Sequence, residues 1–521
     1  MPYTPPHHTT QHWQVRKPAA RGASGIVASQ AAAGAEAGAE ILRMGGTAAD
    51  AAVATAFTLA AMEPWNCGLG GIGFAQVMSP GGPAETFDFG PVSPAGLDPR
   101  AYPMTGRIAS DLFAWPEVTG DVNVHGPKSF CVPSAVAGYA LLHERHGRLP
   151  IRDVLAPAVA YAKRGLPQDW FTTLKVANSA AILRNYPESA RIYLPHGLPP
   201  VAPYQGSPGF FTLGRLPATL ERLQHAGLRD FYEGDIARSI AADVKGMDGF
   251  VSADDLANCH ARVLPALQAE WRGRTLMLAN GLTAAPTLIE VLRQMASVEY
   301  GATPDAAWYA ALARAMRAAY ADRLAGMGDA EPAAAESCTT HLTVTDRDGM
   351  MVAMTTTLLS SMGSRVVLPG TGVLMNNGIM WFDPRPEARN AIAPAKRPLC
   401  NMCPVIAARD GIPEIATGAS GGRRIMAAVF QLLSYVADFG MDPEDAAHHP
   451  RLDVSGPEGV TADRRLGPEI LAALAADAHV TEVNHDVLPV NFACPNLIQR
   501  GPDGAVGITD AMSPWSLAVA A

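Results

Sequence analysis

Alternating apolar and polar positions predict a β-hairpin in the second half of the chain. The alternation runs through His341–Thr345 and again through Met351–Thr357, separated by the turn-like segment Asp346-Arg-Asp-Gly-Met350. Both runs are rich in β-branched residues, and Gly349 suits the left-handed position of a three-residue hairpin loop. The pattern therefore predicts two antiparallel strands.

This loop length also predicts the register. It places Leu342 opposite Met354 on an apolar face, and Thr339 opposite Thr357 on a face rich in threonine. Opposed side chains lie about 5 Å apart at Cβ, so the two hydroxyls are within reach of a hydrogen bond. A slip of one residue would expose the apolar face, which disfavours other registers.

Helical periodicity dominates the first third of the chain. Apolar positions fit a helix over residues 31–44, and a second helix begins at a capping box formed by Thr47 and Asp50 and runs to Met62. A glycine-rich turn and a strand, Phe74–Met78, follow. Because the glycines lie between a helix and a strand and no Lys-Ser/Thr follows, they indicate close backbone packing rather than a phosphate loop.

Residues 133–330 are predicted to be mainly helical. Small, weakly hydrophobic residues over 323–338 then predict an exposed linker that stops at Thr339. A linker that ends where a threonine opens a strand is expected if the chain is cut there. The same pattern also fits a threonine that merely begins a strand.

Composition narrows the class of protein. The chain has 521 residues, 48% hydrophobic and 17% charged, with a net charge of −9. These values are typical of a globular protein with an ample core. No segment concentrates Lys or Arg, and no 18-residue apolar run occurs, so we expect neither a nucleic-acid partner nor a membrane span.

The N-terminal residues 1–24 are expected to form a polar, partly disordered arm, or alternatively a strand that docks on the body. Because no basic start precedes an apolar run, we expect no signal peptide and a cytoplasmic location. Seven scattered cysteines do not suggest a disulfide framework. Cys400 and Cys403 lack matching ligand spacings elsewhere, so we expect no metal and no organic cofactor.

Thr339 is the candidate nucleophile. Threonine is a weak nucleophile in water and needs a base within reach. As the first residue of a chain, it would have its own α-amine close by, with a pKa of about 8 in model peptides. Burial would lower that pKa and make the free amine more available as a base.

Several segments together resemble the γ-glutamyltransferase family. The segments are Ala37-Gly-Ala-Glu-Ile-Leu-Arg-Met-Gly-Gly-Thr-Ala-Ala-Asp-Ala-Ala, Val132-Pro-Ser-Ala-Val-Ala-Gly138, Phe231-Tyr-Glu-Gly-Asp235, Thr339-Thr-His-Leu-Thr-Val-Thr, Thr355-Thr-Thr357, Pro369-Gly-Thr-Gly-Val-Leu, Thr417-Gly-Ala-Ser-Gly-Gly-Arg-Arg-Ile425 and Asp438-Phe-Gly-Met-Asp-Pro443. The resemblance covers nearly the whole chain after the arm. It implies a four-layer αββα sandwich of the N-terminal-nucleophile hydrolase type.

The resemblance also implies self-cleavage between Cys338 and Thr339. Residues 25–338 would then form a large subunit and residues 339–521 a small subunit that stay together as one unit. Thr339 would be the nucleophile and Thr357 its supporting hydroxyl. Gly421 and Gly422 would hold the oxyanion with backbone amides, although a glycine pair before a helix is also a common tight turn. Cys338 is expected to be passive on the leaving side.

The groups with which this family binds a glutamyl substrate are missing. Gly90 stands where the family has arginine, and Leu359 where it has asparagine. Trp381 lies in a segment that replaces acidic and amide residues, and Cys400 and Asn401 replace paired serines. Each lost charge-assisted contact typically costs about 2–5 kcal/mol. We therefore expect an altered acyl pocket with Trp381 as an apolar wall, as in the family's cephalosporin-acylase-like members.

Two arginines are candidates to bind a substrate carboxylate. Arg365 stands where the family usually has a small residue, and Arg423 follows the glycine pair. For each arginine, a solvent-facing side chain without a ligand is an equal alternative.

The leading hypothesis is a self-processed threonine hydrolase or acyltransferase that acts on a small-molecule, non-glutamyl amide. One alternative is a genuine γ-glutamyl hydrolase or transferase for a glutathione-type substrate. Another is a non-catalytic binding protein on the same fold.

Overall fold

The computed structural model describes residues 15–109, 115–327, 338–456 and 458–521. Its strands, in chain order, are β1 Ala20–Gly22, β2 Gly25–Ser29, β3 Ile72–Met78, β4 Glu85–Phe89, β5 Met104–Ile108, β6 Pro116–Val118, β7 Leu166–Pro167, β8 Phe210–Phe211, β9 Arg262–Pro265, β10 Leu267–Trp271, β11 Arg274–Leu278, β12 Cys338–Asp346, β13 Met351–Leu359, β14 Val405–Arg409, β15 Ile412–Ser420, β16 Leu452–Asp453, β17 Gly459–Asp463, β18 His479–Val483, β19 Cys494–Gly501, β20 Gly504–Thr509 and β21 Leu517–Ala520.

The α-helices, in chain order, are α1 Ala32–Arg43, α2 Ala48–Met62, α3 Ala135–His146, α4 Ile151–Val154, α5 Ala156–Arg164, α6 Trp170–Leu183, α7 Pro187–Tyr193, α8 Leu216–Ala226, α9 Asp230–Glu233, α10 Asp235–Gly246, α11 Ala253–Ala257, α12 Ala285–Met295, α13 Ala306–Met327, α14 Ile425–Ala437, α15 Pro443–His448 and α16 Pro468–Ala475.

Two antiparallel sheets face each other at the centre of the molecule. One has the order β21-β2-β12-β13-β3-β4-β9 and the other β1-β20-β19-β15-β14-β11-β10. Buried side chains of both sheets, such as Met351 and Ile406, pack together between them. Helices α1, α2, α3 and α5 cover the outer face of the first sheet, and α12, α13 and α14 cover the second. The fold is the expected four-layer αββα sandwich.

The two predicted N-terminal helices are confirmed. Helix α1 ends just before the glycine pair, and α2 begins at Thr47, whose side chain accepts a hydrogen bond from the Asp50 amide in a complete capping box. All of α2 is buried. This alanine-rich helix therefore packs closely between its neighbours and the first sheet.

The end of the predicted N-terminal arm forms a strand that docks on the body of the protein, which was the alternative prediction for this segment. Strand β1 pairs with β20, and the Lys17 ammonium donates to the carbonyls of Asp510 and Ser516, each at 3.0 Å. Residues 1–14 of the arm lie outside the described residues.

The region 133–330 is mainly helical, as expected. It also contains the hairpin β10–β11, which joins the second sheet through β14. One expectation needs correction. The predicted linker begins later than expected, because α13 continues to Met327. Arg323 is buried in that helix and hydrogen-bonds the Cys400 carbonyl at 2.8 Å. The remainder of the predicted linker, 328–337, lies outside the described residues.

Candidate active site

The hairpin β12–β13 has the predicted register and brings two threonine hydroxyls together. Leu342 opposes Met354, as expected. A β-bulge between Cys338 and Thr340 ends the regular pairing, so that Cys338 opposes Leu359. Despite this bulge, the Oγ1 atoms of Thr339 and Thr357 lie 3.1 Å apart, and both side chains are buried.

A sharp turn of the backbone fixes the Thr357 hydroxyl. Leu359, the last residue of β13, has a φ of 88°, which is rare for a residue with a branched side chain. In this conformation its amide donates to Thr357 Oγ1 at 2.8 Å. The Thr357 oxygen is therefore held at two points, by the Leu359 amide and the Thr339 hydroxyl.

His341 organises a buried polar layer behind the two threonines. Its Nδ1 lies 2.9 Å from the Thr355 hydroxyl, and its Nε2 lies 3.1 Å from the Thr343 hydroxyl. Burial lowers the pKa of His341 to about 3, so the imidazole is neutral at ordinary pH. The sequence pattern places His341 on the threonine-rich face of the hairpin, but we predicted no role for it. An ionisable side chain among strand threonines is the feature that could have indicated one.

Gly421 and Gly422 lie where β15 passes into a short 3₁₀ turn and then α14. Their φ values are 136° and 61°, so both occupy conformations that favour glycine. A Cβ at Gly421 would also lie 2.9 Å from the Cα of Ala493. The amides at such a turn are free of the helical ladder and suited to binding an oxyanion.

Thr339 and Gly421 line the same cavity, of about 660 Å³. Glu63, which directly follows α2, and Lys175 of α6 line it, and the segment after β18 contributes Phe492. Burial raises the pKa of Glu63 to about 7. The structure thus joins the expected nucleophile, one expected oxyanion glycine and an open space for substrate.

The residues predicted to form the acyl pocket lie in a separate, apolar cluster. Leu359, Trp381 and Cys400 pack together with Phe74, and all four are nearly fully buried. Gly90 adjoins this cluster, because a Cβ added there would lie 2.6 Å from Phe74 Cζ. These four predicted residues therefore meet one another, and Leu359 connects them to the threonine pair through its amide, which donates to Thr357 Oγ1.

Asn401 and the two candidate arginines have structural partners. Asn401 Oδ1 accepts from Arg323 at 3.2 Å. Arg365 donates to Ser360 Oγ at 2.8 Å and does not line the cavity with Thr339. Arg423 does line that cavity, although it is largely buried.

Comparison with known proteins identifies the family. The family model described as Gamma-glutamyltranspeptidase matches residues 34–337 and 331–519. The chain belongs to the gamma-glutamyltranspeptidase family. It is an enzyme of the N-terminal-nucleophile hydrolase class, and its relatives in this family include glutathione hydrolases and acylases.

Individual members of the family are similar over almost their whole length. A glutathione hydrolase proenzyme of Escherichia coli (strain K12) is 27% identical over 560 residues, covering 95% of this chain and 91% of that protein. The acylase ACY 1 proenzyme of Pseudomonas sp. (strain SE83) is 29% identical over 504 residues, covering 89% and 88%. The crystal structure of a cephalosporin acylase from Bacillus halodurans matches with a TM-score of 0.84 at 23% identity, covering 98% of both chains. This structural similarity shows that the two proteins share a fold.

None of the described helices is long and apolar enough to cross a lipid bilayer.

Proposed function

We propose that this chain cleaves itself between Cys338 and Thr339 and then uses Thr339 to hydrolyse or transfer the acyl group of a small, non-glutamyl amide. The observation that carries the proposal is the 3.1 Å contact between the Thr339 and Thr357 hydroxyls beside an open cavity. Residues 25–338 and 339–521 would be the two subunits. The expected cytoplasmic location stays a prediction.

Maturation would begin at the bulge in β12. Thr339 Oγ1 attacks the Cys338 carbonyl carbon, the peptide nitrogen leaves with the hydroxyl proton as an amine, and water hydrolyses the resulting ester. The irregular pairing of Cys338 supports this step, because a bulge frees a peptide from the sheet ladder. The names of the two relatives, both proenzymes, are consistent with it.

Turnover would reuse the same atoms. The new α-amine of Thr339 takes the proton from its own hydroxyl, which attacks the substrate carbonyl carbon. The Thr357 hydroxyl orients the attacking oxygen, and the amides at Gly421 and Gly422 stabilise the oxyanion. The amine product leaves with the proton, and water or an acceptor amine then attacks the Thr339 ester.

The apolar cluster supports a non-glutamyl acyl group. Gly90 has no space for a side chain unless Phe74 moves, and Leu359, Trp381 and Cys400 present no charge. A glutamyl group would bring a carboxylate and an ammonium against Leu359, Trp381 and Cys400, whose side chains offer them no charged partner, which is costly. The glutathione hydrolase relatives favour the alternative of glutamyl specificity, so both substrate classes belong in the test.

Mass spectrometry of the purified protein tests the first half of the proposal. We expect two fragments that divide between Cys338 and Thr339, and one intact chain for Thr339→Ala. Thr345→Val is a matched control, because this near-isosteric change on the same strand removes a buried hydroxyl that has no hydrogen-bond partner within the described chain. An intact wild-type chain would refute the proposal.

A substrate panel tests the second half. Glutamyl, aliphatic and aromatic acyl 4-nitroanilides are compared with the processed enzyme, and Thr339→Ala serves as the blank. We expect turnover of a non-glutamyl anilide to exceed that of the glutamyl one. Preferential turnover of the glutamyl anilide would contradict the proposed non-glutamyl specificity, but it would not contradict Thr339 as the nucleophile.

A further inference from the structure

The cavity beside Thr339 contains a lysine that forms no ion pair within the described residues. Lys175 extends from α6, and its ammonium makes no hydrogen bond or ion pair with the part of the chain that the structure describes. It lies 5.2 Å from the ring centroid of Phe171, another lining residue. Its charge acts on Glu63 and Cys494, which line the same cavity. The Lys175 ammonium therefore faces the cavity.

Arg424 is another cation in the lining of this cavity. Arg424 donates to the carbonyl of Gly421 at 3.3 Å and to that of Val490. Both acceptors are neutral, and among the described carboxylates none forms an ion pair with this guanidinium. Its position beside Gly421 brings positive charge to the oxyanion side of Thr339.

Carboxyl groups also line the cavity, but among the described residues none of them forms an ion pair with Lys175 or Arg424. Burial raises the pKa of Glu63 to about 7 and that of Asp453 to about 6, because it disfavours the charged form of both carboxyl groups. Asp510 is ionised but is held by Arg451 at 2.6 Å. Glu458 and Asp486 also line the cavity, at an exposed and a partly exposed position respectively.

The rest of the lining is suited to an apolar ligand body. Phe171, Leu174 and Phe492 contribute hydrophobic surface, and Leu488 and Val490 expose apolar side chains at the edge, with 39% and 37% of their surface accessible. An apolar wall with a few placed polar groups is typical of small-molecule sites.

We propose that this cavity binds a carboxylate-bearing, apolar part of the amide substrate, with Lys175 as the specificity-determining residue and Arg424 in support. The inference rests on the proposed function, since it names the chemistry of that enzyme's substrate. The cavity lies apart from the apolar cluster around Trp381, so the carboxylate belongs to the portion of the substrate outside that cluster.

Equilibrium binding tests the proposal without requiring turnover. Isothermal titration calorimetry compares 3-carboxy-4-nitroaniline with 4-nitroaniline on wild type, Lys175→Met and Lys163→Met. The last is the matched control, because Lys163 is an exposed residue of α5 paired with Glu221 and absent from the cavity. We expect the carboxylated compound to bind about tenfold more tightly to wild type and Lys163→Met, and this advantage to vanish in Lys175→Met. Equal affinities, no binding, or an advantage kept in Lys175→Met would overturn the proposal.

Kinetics separate this failure from failure of the proposed function. With acyl anilides that have or lack the 3-carboxylate on the leaving amine, Lys175→Met should raise KM about tenfold more for the carboxylated substrate than for the neutral one. Lys163→Met should leave self-cleavage and both KM values unchanged. Equal losses for both substrates would contradict a role in carboxylate recognition, whereas absence of self-cleavage in wild type would count against Thr339 instead.

Discussion

The imidazole of His341 lies directly against the backbone of Gly418, across the interface of the two sheets. A Cβ added to Gly418 would come within 2.5 Å of both ring nitrogens. His341 belongs to β12 and Gly418 to β15, so the contact joins the strand of the candidate nucleophile to the strand that leads into the glycine pair. The missing side chain at position 418 is what allows the polar layer behind Thr339 to exist.

Gly418→Ala should therefore displace His341 and destabilise the protein. Overpacking of a close-packed interior typically costs about 1–3 kcal/mol, and His341 has little room to move because both ring nitrogens are engaged. Urea unfolding measures the change. Gly301→Ala is the control, since a Cβ there meets no atom within 4 Å and its backbone is unstrained. Equal stability of the two variants would contradict the packing argument.

The low pKa of His341 predicts acid sensitivity. The unfolded imidazole has an ordinary pKa of 6.5 and the folded one a pKa of about 3, so the folded state binds fewer protons between these values. This residue's contribution to stability is present above pH 6.5 and is lost as the pH falls toward 3. Between pH 6.5 and 3, the titration of His341 should lower the free energy of unfolding by up to about 1.4 kcal/mol for each pH unit.

His341→Gln should flatten this part of the stability curve, because the amide keeps hydrogen-bonding groups but does not titrate. Chemical unfolding at a series of pH values from 3 to 7 measures the slope. His479→Gln, at an exposed strand position, is the matched control and should leave the slope unchanged. A His341→Gln curve as steep as that of wild type would show that other groups cause the acid sensitivity.

Much of the hairpin could be predicted from the sequence, and much of the cavity could not. A period of two and a short loop fix the register, so the contact between Thr339 and Thr357 followed from local pattern alone. The bulge at Cys338 did not, since it depends on the backbone turn at Leu359. The cavity is assembled from segments as distant as Gln30 and Pro514, and their meeting is set by the packing of the layers.

Thr357 is expected to act through its hydroxyl. Thr357→Val removes the hydrogen-bonding partner of Thr339 while keeping the shape of the side chain, and should slow both self-cleavage and turnover. Loss of one buried hydrogen bond of about 1–3 kcal/mol corresponds to roughly 5- to 150-fold in rate. Thr357→Ser should retain most of the activity. Time-resolved mass spectrometry of the precursor gives the cleavage rate, and equal rates for Val and Ser would exclude a role for the hydroxyl.

The close packing of Gly90 against Phe74 should make any larger residue at position 90 destabilising. Gly90→Ala places a Cβ 2.6 Å from Phe74 Cζ and should destabilise the fold by about 1–3 kcal/mol. Phe74→Leu alone should also destabilise it, because Phe74 is buried among Trp381, Leu359 and their neighbours. In the double variant the smaller leucine leaves space for the new methyl group, so the two costs should not add. A double-mutant cycle from urea unfolding measures this coupling, and strictly additive losses would show that Phe74 does not limit the space at Gly90.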